Sequence, residues 1–307
     1  MDRSAIDYLL FLEKNDSFFY KNFKDFIVFA SEVNKNLQDE EYIDLKNAKD
    51  NDYKVLLKDK RTSINIVKNF FYKVSPSIIK QIDYDVANEN ILFLPKNQFK
   101  DIKSRINVLD KSYKIEISES NKIEESFLLV REYTHLFVGN ILEFTDIEEG
   151  LKKIYLESIT SLCEFALAKH LSFNMTLAAD SRMYIFKKIY DSIYKMNDSY
   201  LTLSYLGYLL EGKTHEDIVK YLGDEKIVNY LNKIIIEKKP CNDYINTLSV
   251  VMALKLTNNT DNIYNLLNKF YIKAAEKDVE YLKANLIVNL DQKEAVNEIT
   301  HYIRNNK

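Results

Sequence analysis

Only five glycines and three prolines occur in 307 residues. These two residue types interrupt helices and supply the unusual backbone angles of tight turns. A chain that nearly dispenses with them is expected to be mainly α, with long helices and short connections. The same scarcity removes whole classes of function. No G-x-G-x-x-G and no Walker-type glycine loop is present to cradle a phosphate.

Charge narrows the field further. The net charge is −3, and lysine and glutamate alternate rather than gather in blocks. No basic stripe marks a nucleic-acid surface, so the 22 tyrosines read as core and interface residues, and no nucleic-acid partner is expected. Cys163 and Cys241 are the only cysteines, too few for a disulfide framework or for a zinc site of their own. The N-terminal MDRSAIDYLLFLEKND is a poor signal peptide, and the near-apolar run 200–210 is too short to span a bilayer. A cytoplasmic chain with no membrane partner is the reading that follows.

Apolar residues recur at helical spacing over 4–35 (Ile6, Leu9, Leu10, Phe18, Phe19, Phe23, Phe26, Ile27). Residues 38–60 are polar, and 62–82 are helical again, with Ser75-Pro76 marking a boundary. The period then changes. ENILFLP (89–95) is short and apolar, and KSYKIEIS (111–118) sets Tyr113, Ile115 and Ile117 against Lys114, Glu116 and Ser118. That period of two predicts a strand with one buried face, so a small sheet is expected. From 122 the helical period returns. In EGKTHED (211–217), Gly212 is placed to end one helix and Thr214 to cap the next, with Asp217 at the capping-box position. The stretch around Pro240 is the clearest later hinge, and 246–304 reads as two or three amphipathic helices. The expected organisation is an N-terminal helical region (1–60), a core (61–235) and C-terminal helices (236–307), all in one structural unit.

The chemistry concentrates in Arg131-Glu132-Tyr133-Thr134-His135. On a helix, residues four apart share a face, so Arg131 and His135 point the same way with Glu132 beside them. A zinc-peptidase helix carries two histidines at that spacing to hold metal, and the intervening glutamate activates water. Here His135 and Glu132 are in place, but the first ligand position holds an arginine, a permanent cation that cannot coordinate metal. A further ligand could come from KIYLESITSLCEFALAKHL (153–171), where Glu157, Thr160 or Ser161, and Glu164 share a face. Glu157 lies 22 residues beyond His135, enough for the chain to turn and return antiparallel. The plainer alternative is a charged turn on a packed helix.

This combination resembles the thimet-oligopeptidase and oligoendopeptidase family of gluzincin metallopeptidases. Their motif is His-Glu-x-x-His, followed about two dozen residues later by Glu-x-x-Ser-x-x-x-Glu. Residues 157–164 keep both glutamates, with Thr160 in place of the serine. The likeness extends over roughly 60–225. It implies a helical gluzincin-like peptidase scaffold with a small β-sheet and a cleft. It maps Glu157 and His135 onto metal ligands, Glu132 onto the general base, and Glu164 and Thr160 onto supporting positions. It places 111–118 as the edge strand over the cleft, and Tyr200, Tyr205 and Tyr208 in the region that supplies oxyanion-stabilising hydroxyls. With Arg131 replacing the first ligand, the expectation is a degenerate peptidase (a pseudoenzyme) without cofactor. Glu157, with Glu132 as a second candidate, would accept hydrogen bonds from the guanidinium. Its residual cleft would bind a peptide or protein partner. The alternatives are an active zinc endopeptidase using His135, Glu157 and a remote group, and a plain helical interaction module.

Overall fold

The computed structural model describes residues 3–15, 17–37, 39–99, 103–109, 112–239, 243–288 and 291–306. Lys111, Pro240 and Cys241, and with Pro240 the centre of the expected hinge, lie outside the described residues.

The chain is mainly α with a small sheet. It opens with α1 (Arg3–Asn15), α2 (Ser17–Asn36) and α3 (Asp39–Asp50), then α4 (Lys60–Val74) and α5 (Pro76–Ala87). The strands are β1 (Ile91–Leu94), β2 (Ser104–Leu109) and β3 (Ser112–Ser118). Next come α6 (Glu124–Thr134), a π-helical turn at His135–Gly139, α7 (Asn140–Leu142), α8 (Glu149–Leu171) and α9 (Ala178–Leu210). The chain continues through α10 (His215–Leu222), α11 (Glu225–Ile236), α12 (Asp243–Asn258), α13 (Ile263–Ala275), α14 (Val279–Asn285) and α15 (Gln292–Asn305). Among the described residues, no helix is long and apolar enough to cross a membrane.

Local signals set several boundaries. Ser75 ends α4 and caps α5, whose first residue is Pro76, where a missing N–H costs nothing. Gly212 and Gly223 end helices at φ +76° and +74°, a backbone region that favours glycine. Thr214 and Asp217 form the reciprocal capping box at the start of α10.

The core surrounds α8. Between Ser158 and Ala168 every residue of this helix is buried, whatever face it occupies. Such a helix needs neighbours on all sides. It has α6 on one flank and α12 on another, with α9 and α13 also packed against it. The buried apolar side chains form one continuous cluster from Ala5 to Ile303. The C-terminal segment departs from the simple amphipathic pattern. It contains four helices, and α12 is buried from Tyr244 through Leu254, except for the half-buried Asn246, because it lies between α8, α9 and α15.

The sheet order is β1-β3-β2, with β3 parallel to β1 and antiparallel to β2. Residues 112–118 are therefore the central strand, not the edge over the cleft. Pairing on both sides buries Ile115 and Ile117, and Glu116 as well, whose carboxylate accepts from Arg105 and Asn107 of β2. The cleft-side edge is β2, which has no strong period in the sequence because most of its side chains are exposed.

Candidate active-site cleft

The motif helix is set in place by a buried carboxylate. Glu125 accepts from the backbone N–H groups of Ser120 (2.7 Å) and Asn121 (2.6 Å) and from the Ser63 hydroxyl (2.9 Å). Asn121, at φ +53°, makes the tight turn from the loop after β3 into α6. A carboxylate receiving N–H donors at a helix start is favoured by both hydrogen bonding and the helix dipole. This fixes the phase of α6 and so the direction of Arg131.

Arg131 and Glu157 meet across α6 and α8. Arg131 Nη2 lies 2.8 Å from Glu157 Oε1, a charge-assisted hydrogen bond. Burial by itself would lower the Arg131 pKa, but Glu157, then Glu164 and Glu132, outweigh it and hold the guanidinium above its ordinary range. Burial by itself would raise the Glu157 pKa, but Arg131, His135 and Lys188 outweigh it and hold the carboxyl well below the usual carboxylate range. Both groups are therefore charged at neutral pH.

His135 Nε2 stands 3.4 Å from the same Glu157 oxygen, long for a hydrogen bond, and makes none among the described residues. His135 is also the first residue of the π-helical turn, a local widening often found at functional sites. Glu132 is buried; its Oε1 accepts from Ser104 Oγ of β2 at 2.5 Å and lies 4.0 Å from Arg131 Nε. Glu164, two helical turns beyond Glu157, accepts from the Tyr184 hydroxyl (2.8 Å) and pairs with Lys188 (2.6 Å). Burial, then the Glu164 charge, keeps the Tyr184 phenol protonated as a donor. Thr160 is tied back to its own helix, donating to Leu156 O at 2.8 Å.

Arg131, Glu157, Ser161, Glu164, Tyr184 and Lys188 line a cleft of about 740 Å³ with residues of the opposite wall; Glu132, His135 and Thr160 are not among its lining residues. Tyr200, Tyr205 and Tyr208 belong to the far half of α9 and do not line it. Tyr205 is buried, and Tyr208 stacks on Tyr221 at 5.3 Å. Tyr184 is the tyrosine of α9 that reaches the cleft. Tyr184, Lys188 and Ser104 carry no motif in the sequence; only their helical and strand phase relative to Glu164 and Glu132, fixed by the tertiary fold, brings them in.

The resemblance implies zinc, which needs at least three protein donors in a site of this kind. Among the described residues, no three His, Cys, Asp or Glu side chains converge as a metal site. Glu157 is in contact with a guanidinium, and His135 and Glu157 are the two donors left. This donor set does not fit zinc.

No protein-family model, curated protein or solved structure matches the chain.

Proposed function

We propose that this chain is a degenerate relative of gluzincin peptidases that binds an extended polypeptide segment in its cleft without hydrolysing it. The observation that carries the proposal is the 2.8 Å contact between Arg131 and Glu157 on the cleft wall. On this reading the fixed positive charge of Arg131 takes the part of the divalent ion of the resembled enzymes and neutralises Glu157, the carboxylate that would otherwise bind that ion. Glu132, the counterpart of the general base, is engaged by Ser104 instead of facing a metal-bound water.

The binding mode follows from β2. Ser118 N donates to Lys103 O, so the alternation of an antiparallel ladder turns the N–H and C=O of Ser104, Ile106 and Val108 away from β3. Ser104 also lines the cleft. An extended segment laid along this edge would gain main-chain hydrogen bonds.

The test is to incubate the protein with unstructured peptides, with and without chelator, while following binding by calorimetry and products by mass spectrometry. Peptide should bind and be recovered intact, and chelator should change neither result. Ser104→Pro, which removes an edge N–H but no ladder bond, should weaken binding about tenfold relative to Ser104→Ala. Chelator-sensitive cleavage, or failure to bind any peptide, overturns the proposal.

A further inference from the structure

Eight cationic and six carboxylate side chains line the cleft of a chain whose net charge is −3. All six carboxylates are already engaged: each lies within 2.6–3.2 Å of a lysine or arginine. Three lysines of the wall, Lys96, Lys187 and Lys195, have no carboxylate in contact among the described residues. Lys187 is half-buried; it donates to the Asn51 carbonyl and lies 4.5 Å from the centre of the Tyr53 ring. Its ammonium is partly stripped of water, and among the described residues its contacts are neutral. The cleft has therefore satisfied its own anions and left cations over.

We propose that the occupant of the cleft is an acidic polypeptide segment whose carboxylates pair with Lys96, Lys187 and Lys195. This rests on the reading of the cleft as a peptide site and specifies its ligand. The six wall carboxylates favour a peptide over a nucleic acid. A continuous phosphate backbone would run past them at close range, whereas a peptide can space its acids to meet the free lysines and turn neutral residues elsewhere. The outward N–H and C=O groups of β2 match the alternating acceptors and donors of a peptide backbone, whereas a DNA sugar-phosphate chain could accept from the N–H groups but has no donor for the C=O groups.

The experiment titrates the full chain with three end-capped peptides, identical except for Glu, Gln or Lys at alternate positions, and with an oligothymidylate. The Glu peptide should bind at least about tenfold more tightly than the Gln peptide, each new ion pair contributing up to about fivefold, and the advantage should shrink as salt is raised. The Lys peptide should bind weakest. Lys187→Gln combined with Lys195→Gln should lower affinity for the Glu peptide about tenfold and leave the Gln peptide unchanged. Lys96→Gln with Lys195→Gln, both at exposed positions, supplies the same test if Lys187 is needed for folding. Equal binding of Glu and Gln peptides, or tightest binding of the Lys peptide, overturns the acidic ligand and leaves the peptide site standing. Tightest binding of the oligothymidylate overturns both in favour of a nucleic acid. Binding of none of the four overturns both.

Discussion

Asp85 and Glu157 are both carboxylates drawn into a helical interior, and the chain satisfies them in opposite ways. Asp85 is fully buried and has no cation in contact among the described residues. It accepts from the hydroxyls of Tyr113 (2.8 Å) and Tyr133 (3.1 Å) and from the amides of Asn90 (3.0 Å) and Gln81 (3.2 Å). These donors come from α5, the loop after it, β3 and α6, so the network joins sheet to motif helix. Burial and the Asp85 charge keep both phenols protonated, which preserves them as donors. Glu157 instead meets an arginine, stands 3.4 Å from a histidine Nε2 that has no hydrogen-bond partner among the described residues, and opens onto the cleft. The first arrangement is closed and structural. The second is charge-compensated and accessible, the arrangement expected where a ligand is handled.

The largest effect should therefore fall on the closed network. Asp85→Leu leaves two phenols and two amides without their acceptor and should cost about 4 kcal/mol of unfolding free energy in urea titration. A loss under about 1 kcal/mol would mean the network is not holding the sheet to α6.

Glu157→Gln should cost less, about 2 kcal/mol, because Arg131 retains Glu132 and Glu164 nearby and can hydrate through the cleft. The pH dependence follows from the lowered Glu157 pKa. Its stabilising contribution is complete above the ordinary carboxylate value of about 4.3 and is lost only as pH falls through the lower folded value. The gap between wild type and Glu157→Gln should stay constant from about pH 5 to 8 and narrow progressively below about pH 4. A gap that closes near neutral pH would contradict the Arg131–Glu157 pairing. The smallest effect belongs to Ser104→Ala, which removes one hydrogen bond to Glu132 and should cost about 1 kcal/mol.

Much of the helical frame was legible because its signals are local. Ser75-Pro76, Gly212 and the Thr214–Asp217 box act within one turn of backbone. The strands at 91–94 and 112–118 also announced themselves by composition and period. β2 did not, because an exposed edge strand has no apolar face to write into the sequence. The central place of β3 was hidden for a related reason. Glu116 reads as a solvent residue and is buried only because Arg105 and Asn107 arrive from β2. Helix phase placed Arg131 and His135 on one face, and the resemblance set Glu157 opposite them, where the three side chains meet. Tyr184 and Lys188 escaped, since nothing in the chain before folding connects α9 to Glu164.

The account turns on whether Arg131 has taken the position of a metal. The direct measurement is zinc per chain, by metal analysis after dialysis, for wild type and for Arg131→His. That substitution would place a histidine four residues before His135 and opposite Glu157, completing three donors. Far less than one zinc per chain in wild type and about one in Arg131→His is the predicted result. Stoichiometric zinc in wild type, or none in a folded Arg131→His, would contradict it.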